Sequence, residues 1–336
     1  MEFIDEHDPA ATHKRKNTLT RSNVFFKIAS LRNTGILVLL IGLWIALSFL
    51  SPYFFDSQNV VNILQQSTLV AISGVGMTLV IITGGIDLSV GSVAALTGMV
   101  VGILVMNVHL WFLWALMLGL MVGAVAGLLN GLLVTRFRLQ PMVVTLGMMT
   151  MARGLTLIST SGRPVFVTDS TIIAIGNGTF LGFPIQVCIA IAAAVIASLL
   201  LNLTFYGRYV FSIGGNEEAT RLSGVPVSKY KVITYVISGL FSSIVGIVMV
   251  GLLGSSEPTV GFGLELDSIA VAAIGGTSLM GGVGGIGGTM LGALLIGTLK
   301  NGLTILDIVS YYQQVLIGVV IIVAVTIDSI RQRNQQ

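Results

Sequence analysis

Long apolar runs, broken by short polar or glycine-rich junctions, fill most of the chain. A helix needs about 20 apolar residues to cross the hydrocarbon core of a bilayer. Runs of that kind lie at 33–51, 62–84, 87–107, 111–134, 141–160, 185–205, 232–254, 267–283, 287–305 and 312–328. They are apolar all round, which predicts an all-α polytopic transmembrane bundle of about ten spans; a barrel would instead alternate in short segments. The span ends are least defined at two glycine-rich junctions, 83–91 and 275–288.

Composition agrees with the pattern. Apolar residues make up 54% of the 336 residues and charged residues only 9%, against about 25% charged in an average soluble domain. Mean hydropathy is +0.96. So few charges cannot cover the surface of a water-soluble protein of this size, and a nucleic-acid binder or disulfide scaffold is excluded. The one cysteine, Cys188, sits in an apolar run and excludes a disulfide within the chain or a cysteine-clustered metal site.

Charge placement predicts orientation. The first 32 residues are polar, with no apolar core or small-residue cleavage site, and carry Lys14, Arg15, Lys16, Arg21, Lys27 and Arg32. They are expected to be a cytoplasmic tail ahead of an uncleaved first span. Alternating sides from there puts fourteen of the seventeen basic residues in the cytoplasm, including Arg136, Arg138, Arg208, Arg221, Lys229, Lys231, Arg331 and Arg333. An odd number of spans would move Arg331 and Arg333 outside, so the bias favours ten spans with both termini cytoplasmic. The expected organisation is a tail over 1–32, one transmembrane domain over 33–328 and a short tail over 329–336. The largest inner loop, 206–231, lies within that domain.

Glycine shapes the packing. Gly119, Gly123, Gly127 and Gly131 form an i,i+4 ladder in the fourth span, and Gly284, Gly288 and Gly292 form another at the ninth. Small-residue stripes let helix backbones approach closely, either within one subunit or between subunits. The stretch Gly275-Gly276-Thr277-Ser278-Leu279-Met280-Gly281-Gly282 is no phosphate loop, because the chain has no Gly-Lys pair. It also lacks the final glycine of a nucleophile elbow. No catalytic or metal-ligating constellation is visible, and His7, His13 and His109 are scattered.

Polar groups inside lipid are costly, at about 2.5–3.5 kcal/mol for a central charge, so the few present are informative. Asp87 lies between two spans, where it could cap the third span or belong to a broken helix lining a polar cavity. Arg153, in the fifth span, could snorkel to the outer interface or line a pathway. Lys300 and Asn301 lie late in the ninth span, with Asp307 as a nearby local partner, while Glu265 and Asp267 mark the start of the eighth. Neutral polar residues within spans include Gln65, Gln66, Asn130, Thr145 and Thr150. Such groups suit a neutral polyhydroxy solute better than an ion, although they also bond between helices without a ligand.

The segment 214–226 reads as a short capped helix. Asn216 is a good N-cap, Glu217 and Glu218 load the first turn, Gly224 suits the C′ position and Pro226 follows. It is either an ordinary connector or a docking knob.

Several motifs in order carry a resemblance over residues 35–330. They are Asn62-Ile63-Leu64-Gln65-Gln66, Gly76-Met77-Thr78-Leu79-Val80-Ile81, Gly85-Ile86-Asp87-Leu88-Ser89-Val90-Gly91 and Thr145-Leu146-Gly147-Met148-Met149. Gly207-Arg208, Gly214-Gly215-Asn216-Glu217 through Ser223-Gly224-Val225, Glu265-Leu266-Asp267-Ser268-Ile269-Ala270 and Gly275-Gly276-Thr277-Ser278-Leu279 complete the set. The chain resembles the permease subunits of bacterial ABC-type sugar importers, the ribose permeases most of all.

The resemblance implies a homo- or heterodimeric permease in the cytoplasmic membrane. A separate ATPase subunit would dock from the cytoplasm, and a periplasmic sugar-binding protein would deliver substrate. ATP-Mg would sit on the ATPase and no cofactor on this chain. It makes 216–224 a coupling helix, with Arg208, Gly214, Gly215, Asn216, Glu217, Ala219, Arg221, Leu222, Ser223 and Gly224 as the coupling-loop residues. Gln65, Gln66, Asp87, Ser89, Thr145, Arg153 and Thr277 are the pathway candidates. An ion-coupled secondary transporter is the alternative. It calls for titratable groups near the midplane, whereas the acids here cluster at span ends.

Overall fold

The computed structural model describes residues 34–333; the N-terminal tail lies outside them. Helix α1 (Thr34–Leu50) leads to α2 (Ser57–Ile82), α3 (Val90–Met106), α4 (Phe112–Arg136) and α5 (Pro141–Thr160). Next come α6 (Ser170–Asn177), α7 (Ile185–Leu203), α8 (Phe205–Gly215), α9 (Glu217–Leu222) and α10 (Val227–Leu253). Helices α11 (Leu264–Ile274), α12 (Ile286–Ile305) and α13 (Ser310–Arg333) complete the described residues. Two short antiparallel pairings occur in the connections. β1 (Val165–Phe166) pairs with β4 (Ser255–Ser256), and β2 (Thr179–Phe180) pairs with β3 (Phe183–Pro184).

Each of the ten apolar runs corresponds to a helix, but one is cut short. The eighth run, expected over 267–283, is helical only as the eleven residues of α11. Residues 275–285 then run without helix, and Gly276, Gly281 and Gly282 take φ of +80°, +89° and +73°. Such angles fit glycine and end a right-handed helix. Among the described residues, five helices (α2, α4, α5, α7 and α10) are long and apolar enough to cross a membrane on their own.

α2 and α10 form the centre. Within its most apolar window α2 is 83% buried, against 28% for α4 and for α5. α2 is therefore enclosed by protein, while α4 and α5 turn apolar side chains such as Met121, Leu129, Val143 and Met151 outward, as expected where the solvent is lipid. α2 and α12 pack antiparallel along three polar or small rungs. Asn301 donates to Asn59 at 2.9 Å, Gly297 leaves room for Ser67, and the Thr78 and Thr289 hydroxyls bond at 2.6 Å.

The α4 ladder works inside the subunit. A methyl at Gly123 would overlap the Gly239 carbonyl of α10, and one at Gly127 would overlap the Tyr235 carbonyl. Gly119 admits Val101 of α3. The second ladder meets α11, with Gly288 against Gly275 and Gly292 against Val271. Gly284 precedes α12 and packs on Ile82. Dispersion and close backbone approach, rather than hydrophobic exclusion, hold helices together in lipid.

The long connection 161–184 is ordered by its own caps. Asp169 accepts hydrogen bonds from the Thr171 and Ile172 amides at 2.9 and 3.0 Å, starting α6. Asn177 then donates to the Gly251 carbonyl at 2.8 Å, fixing the connection to the end of α10.

Candidate functional site

Three of the pathway candidates, Asp87, Ser89 and Thr145, meet with Asn130 in one buried knot. Asp87 is only 2% exposed, in the junction between α2 and α3. Its Oδ1 accepts from the Ser89 amide at 3.0 Å and the Ser89 hydroxyl at 2.6 Å, and its Oδ2 accepts from the Ser238 hydroxyl of α10 at 2.8 Å. Asn130 of α4 donates to the Ser89 oxygen at 3.0 Å. The Thr145 hydroxyl of α5 donates to the Ile86 carbonyl at 3.1 Å. Asp87 thus does not cap α3 directly, since Ser89 holds the N-cap position. It clamps the junction to α10 instead, three donors offsetting the cost of burying the acid. Asn130 is among the polar residues that the sequence places within spans, though not among the pathway candidates; Ser238 is not, and the polar stripe Ser238, Ser242 and Ser243 inside an apolar run is the signal that points to it.

Arg153 lies apart from this knot. Its Nη1 donates to the Pro258 and Val260 carbonyls at 2.6 and 2.8 Å, tying α5 to the connection between β4 and α11. Thr277 is fully buried in the 275–285 segment, and its hydroxyl has no hydrogen-bond partner. Lys300 pairs with Asp267 of α11 rather than with a local acid such as Asp307. Gln65 and Gln66 line a cavity of about 330 Å³ together with Asn62, Leu69, Leu252 and Lys300. A larger cavity of about 510 Å³ among α3, α4 and α5 is walled by apolar side chains such as Leu96, Met121, Leu129 and Met148. It offers a polar solute no hydrogen-bonding side chain.

The connector between α7 and α10 has a defined shape. Gly207 lets α8 begin directly after α7, because a side chain there would strike the Leu201 carbonyl. Arg208 stacks over the Phe205 ring at 4.2 Å. Tyr206 bonds Thr234 of α10 at 2.8 Å, and burial pushes its hydroxyl pKa up to about 12. Asn216 caps α9 as expected, accepting from the Ala219 amide at 2.9 Å. Glu217 reaches Lys231 and Glu218 bonds Arg221, raising the guanidinium pKa. Ser223 holds the C-cap and Gly224 follows with φ of +82°. Thr220 donates to the Ser212 carbonyl at 2.9 Å, binding α9 to α8, while Leu222 projects from the tip 79% exposed.

The root of this connector has no side-chain cushion. A methyl at Gly214 would overlap the Ile82 carbonyl oxygen at the end of α2 and the Gly282 amide nitrogen. Gly282 donates to that same Ile82 oxygen at 2.9 Å. Gly281, too, approaches Gly84 and Gly214 backbone to backbone. Three glycine-rich segments, at 84–85, 214–215 and 281–282, therefore meet at the base of α9. The sequence marked all three as glycine-rich and gave no sign that they touch.

An apolar helical bundle with buried polar clamps and a capped knob at one end is a polytopic helical membrane protein. Residues 59–325 match the family model described as "Branched-chain amino acid transport system / permease component", and the chain belongs to this family of multi-pass inner-membrane permeases. It is 45% identical to "Ribose import permease protein RbsC" of Escherichia coli K12 over 92% of this chain and 97% of that protein. The protein of the same name from Bacillus subtilis is 43% identical, over 84% of this chain and 88% of that protein. "L-arabinose ABC transporter permease protein AraH" of Azospirillum brasilense is 33% identical, over 91% of this chain and 90% of that protein.

Proposed function

We propose that the chain is the membrane-spanning subunit of an ATP-driven importer for a monosaccharide, a ribose-type pentose or a close relative of one. The observation that carries this reading is the capped knob of α8–α9, seated backbone to backbone on the end of α2 and on the 275–285 segment. The similarity to ribose and arabinose import permeases supports the substrate class.

In this reading the ten apolar segments cross the membrane with both termini in the cytoplasm, and α8–α9 faces the cytoplasm. Two permease subunits, identical or paralogous, stand side by side. A separate ATPase binds and hydrolyses ATP and grips α9, while a binding protein in the periplasm delivers the sugar. Closure of the ATPase displaces α9. Because Gly214 contacts Ile82 and Gly282 with no flexible side chain between, the displacement passes directly into α2 and the α11–α12 junction. Rigid tilting of these elements exposes the central path alternately to either side.

Substitution of Leu222 by aspartate tests the docking role. The side chain is exposed, so the fold should survive. Loss of ATPase association and of uptake in a correctly folded Leu222→Asp variant supports the reading. Normal values for both, in this variant and in Arg221→Ala, refute it.

A further inference from the structure

The cavity of about 330 Å³ beside α2 combines features that no other described cavity of the molecule shows. Its wall carries three amide side chains, Asn62, Gln65 and Gln66, spaced so that they share one face of α2. Opposite stands Lys300 of α12, and Leu69 and Leu252 supply the apolar part. Its volume falls in the ~300–1,000 Å³ range of small-molecule sites. α2 is otherwise largely enclosed by protein, and within a membrane span an exposed glutamine such as Gln66 is costly unless it meets water, protein or a ligand.

The charge arrangement selects the kind of ligand. Lys300 is held by Asp267, so the wall carries an ammonium whose charge is already balanced. Neither an anion nor a cation gains much from a pair so balanced. The remaining ammonium hydrogens donate, and each amide both donates and accepts. Sugar hydroxyls likewise donate and accept, and the two leucines match the C–H faces of a sugar ring.

We infer that Asn62, Gln65, Gln66 and the Asp267-braced Lys300 form a hydrogen-bonding subsite for a neutral polyhydroxy solute on its way across the membrane. This rests on the sugar-import reading. It adds Asn62, Lys300 and Asp267 to the solute path and separates Gln65 and Gln66 from Asp87, Ser89 and Thr145, which are locked in a buried knot. Lys300 and the amides touch the solute; Asp267 is a positioning residue that keeps the ammonium oriented and neutralised.

The test uses the whole complex in proteoliposomes with radiolabelled D-ribose, L-arabinose and D-allose, each presented by its binding protein. Gln66→Ala should reduce uptake about ten-fold, the loss of one hydrogen-bonding partner for the solute, while ATPase stimulation stays within about two-fold of wild type. Lys300→Met alone strands Asp267, so the double variant Lys300→Met/Asp267→Leu removes the pair and keeps the packing; it should show the same selective loss. A second readout is independent of substrate. With Cys188 replaced by serine, Gln66→Cys should react with a charged, water-soluble thiol reagent, and Val195→Cys, outward-facing at the middle of α7, should not. Uptake within about two-fold of wild type in both Gln66→Ala and the double variant overturns the subsite. An unreactive Gln66→Cys in a transporting complex overturns the cavity and leaves the sugar-import reading standing. A wild-type complex that imports no neutral sugar overturns the import reading and the ligand class together.

Discussion

Gly214→Ala adds one methyl group where none fits. Placed on the existing backbone, the new carbon would overlap the Ile82 carbonyl oxygen and the Gly282 amide nitrogen. Neither atom can step aside freely, because they are bonded to each other at 2.9 Å. A carbon and a carbonyl oxygen sit no closer than about 3.3 Å, so the knob must lift from its seat by about 1 Å or more. Overpacking of this kind costs about 1–3 kcal/mol, and loss of the Gly282–Ile82 bond about 1 kcal/mol more. The sum, about 2–4 kcal/mol, is a large share of a typical folding stability of 5–15 kcal/mol. The neighbouring Gly215 provides the control, since nothing lies within 4 Å of the position a methyl would take there. Gly215→Ala should change stability by no more than about 0.5 kcal/mol. Both variants should be purified with the ATPase and compared by thermal unfolding midpoint and by ATP-driven uptake. Gly214→Ala should lower the midpoint and uncouple uptake from ATP hydrolysis, whereas Gly215→Ala should do neither. Equal midpoints and equal uptake would refute the claim that the knob bears rigidly on α2 and the 275–285 segment.

Other consequences follow from the same geometry. Gly123→Val would force α4 away from the Gly239 carbonyl and should cost about 3 kcal/mol or more, read as loss of the monodisperse species on size exclusion. Asp87→Ala strands the Ser89 amide and the Ser89 and Ser238 hydroxyls and should destabilise by about 2–4 kcal/mol, whereas Asp87→Asn, which retains an acceptor, should cost less; thermal melts in detergent compare them. Tyr206 stays protonated to about pH 12 when folded and ionises near pH 10 when unfolded. Its contribution is present in full below pH 10 and is lost as the pH rises from there towards 12, so Tyr206→Phe should flatten the alkaline fall in melting temperature.

Hydropathy located the helices because lipid imposes one requirement, an apolar surface, that composition reports directly. It overran at α11, where Gly275 and Gly276 count as compatible with a span but the backbone turns left-handed and stops the helix. It also began α2 and α10 five residues late, because Ser57-Gln58-Asn59 and Ser228-Lys229 are polar and helical at once. The caps of α9 were legible because capping is local: Asn216, Glu217, Glu218 and Gly224 stand where their roles require. Contacts between distant segments were not legible. Lys300 pairs with Asp267, thirty-three residues away, and no spacing rule points there. Likewise, Asp87 finds Ser238 across 151 positions, and Gly214 finds Ile82 and Gly282 only once the bundle is assembled. Polarity inside spans, together with the motifs that carry the resemblance, named Gln66, Asp87, Arg153 and Thr277 as a group. The fold divides them into a cavity wall, a buried clamp, a loop anchor and an enclosed hydroxyl, because helix rotation decides which face each one meets.

The central claim is that movement imposed on α9 by an ATPase drives a sugar through this bundle. Its most direct measurement is uptake of radiolabelled D-ribose, L-arabinose and D-allose by proteoliposomes holding the complete complex. One set is loaded with ATP and no ion gradient, the other with a proton gradient and no ATP. The account predicts uptake of at least one of the sugars with ATP alone, abolished by Leu222→Asp. Uptake that needs the proton gradient, proceeds without ATP and is indifferent to Leu222→Asp would contradict it.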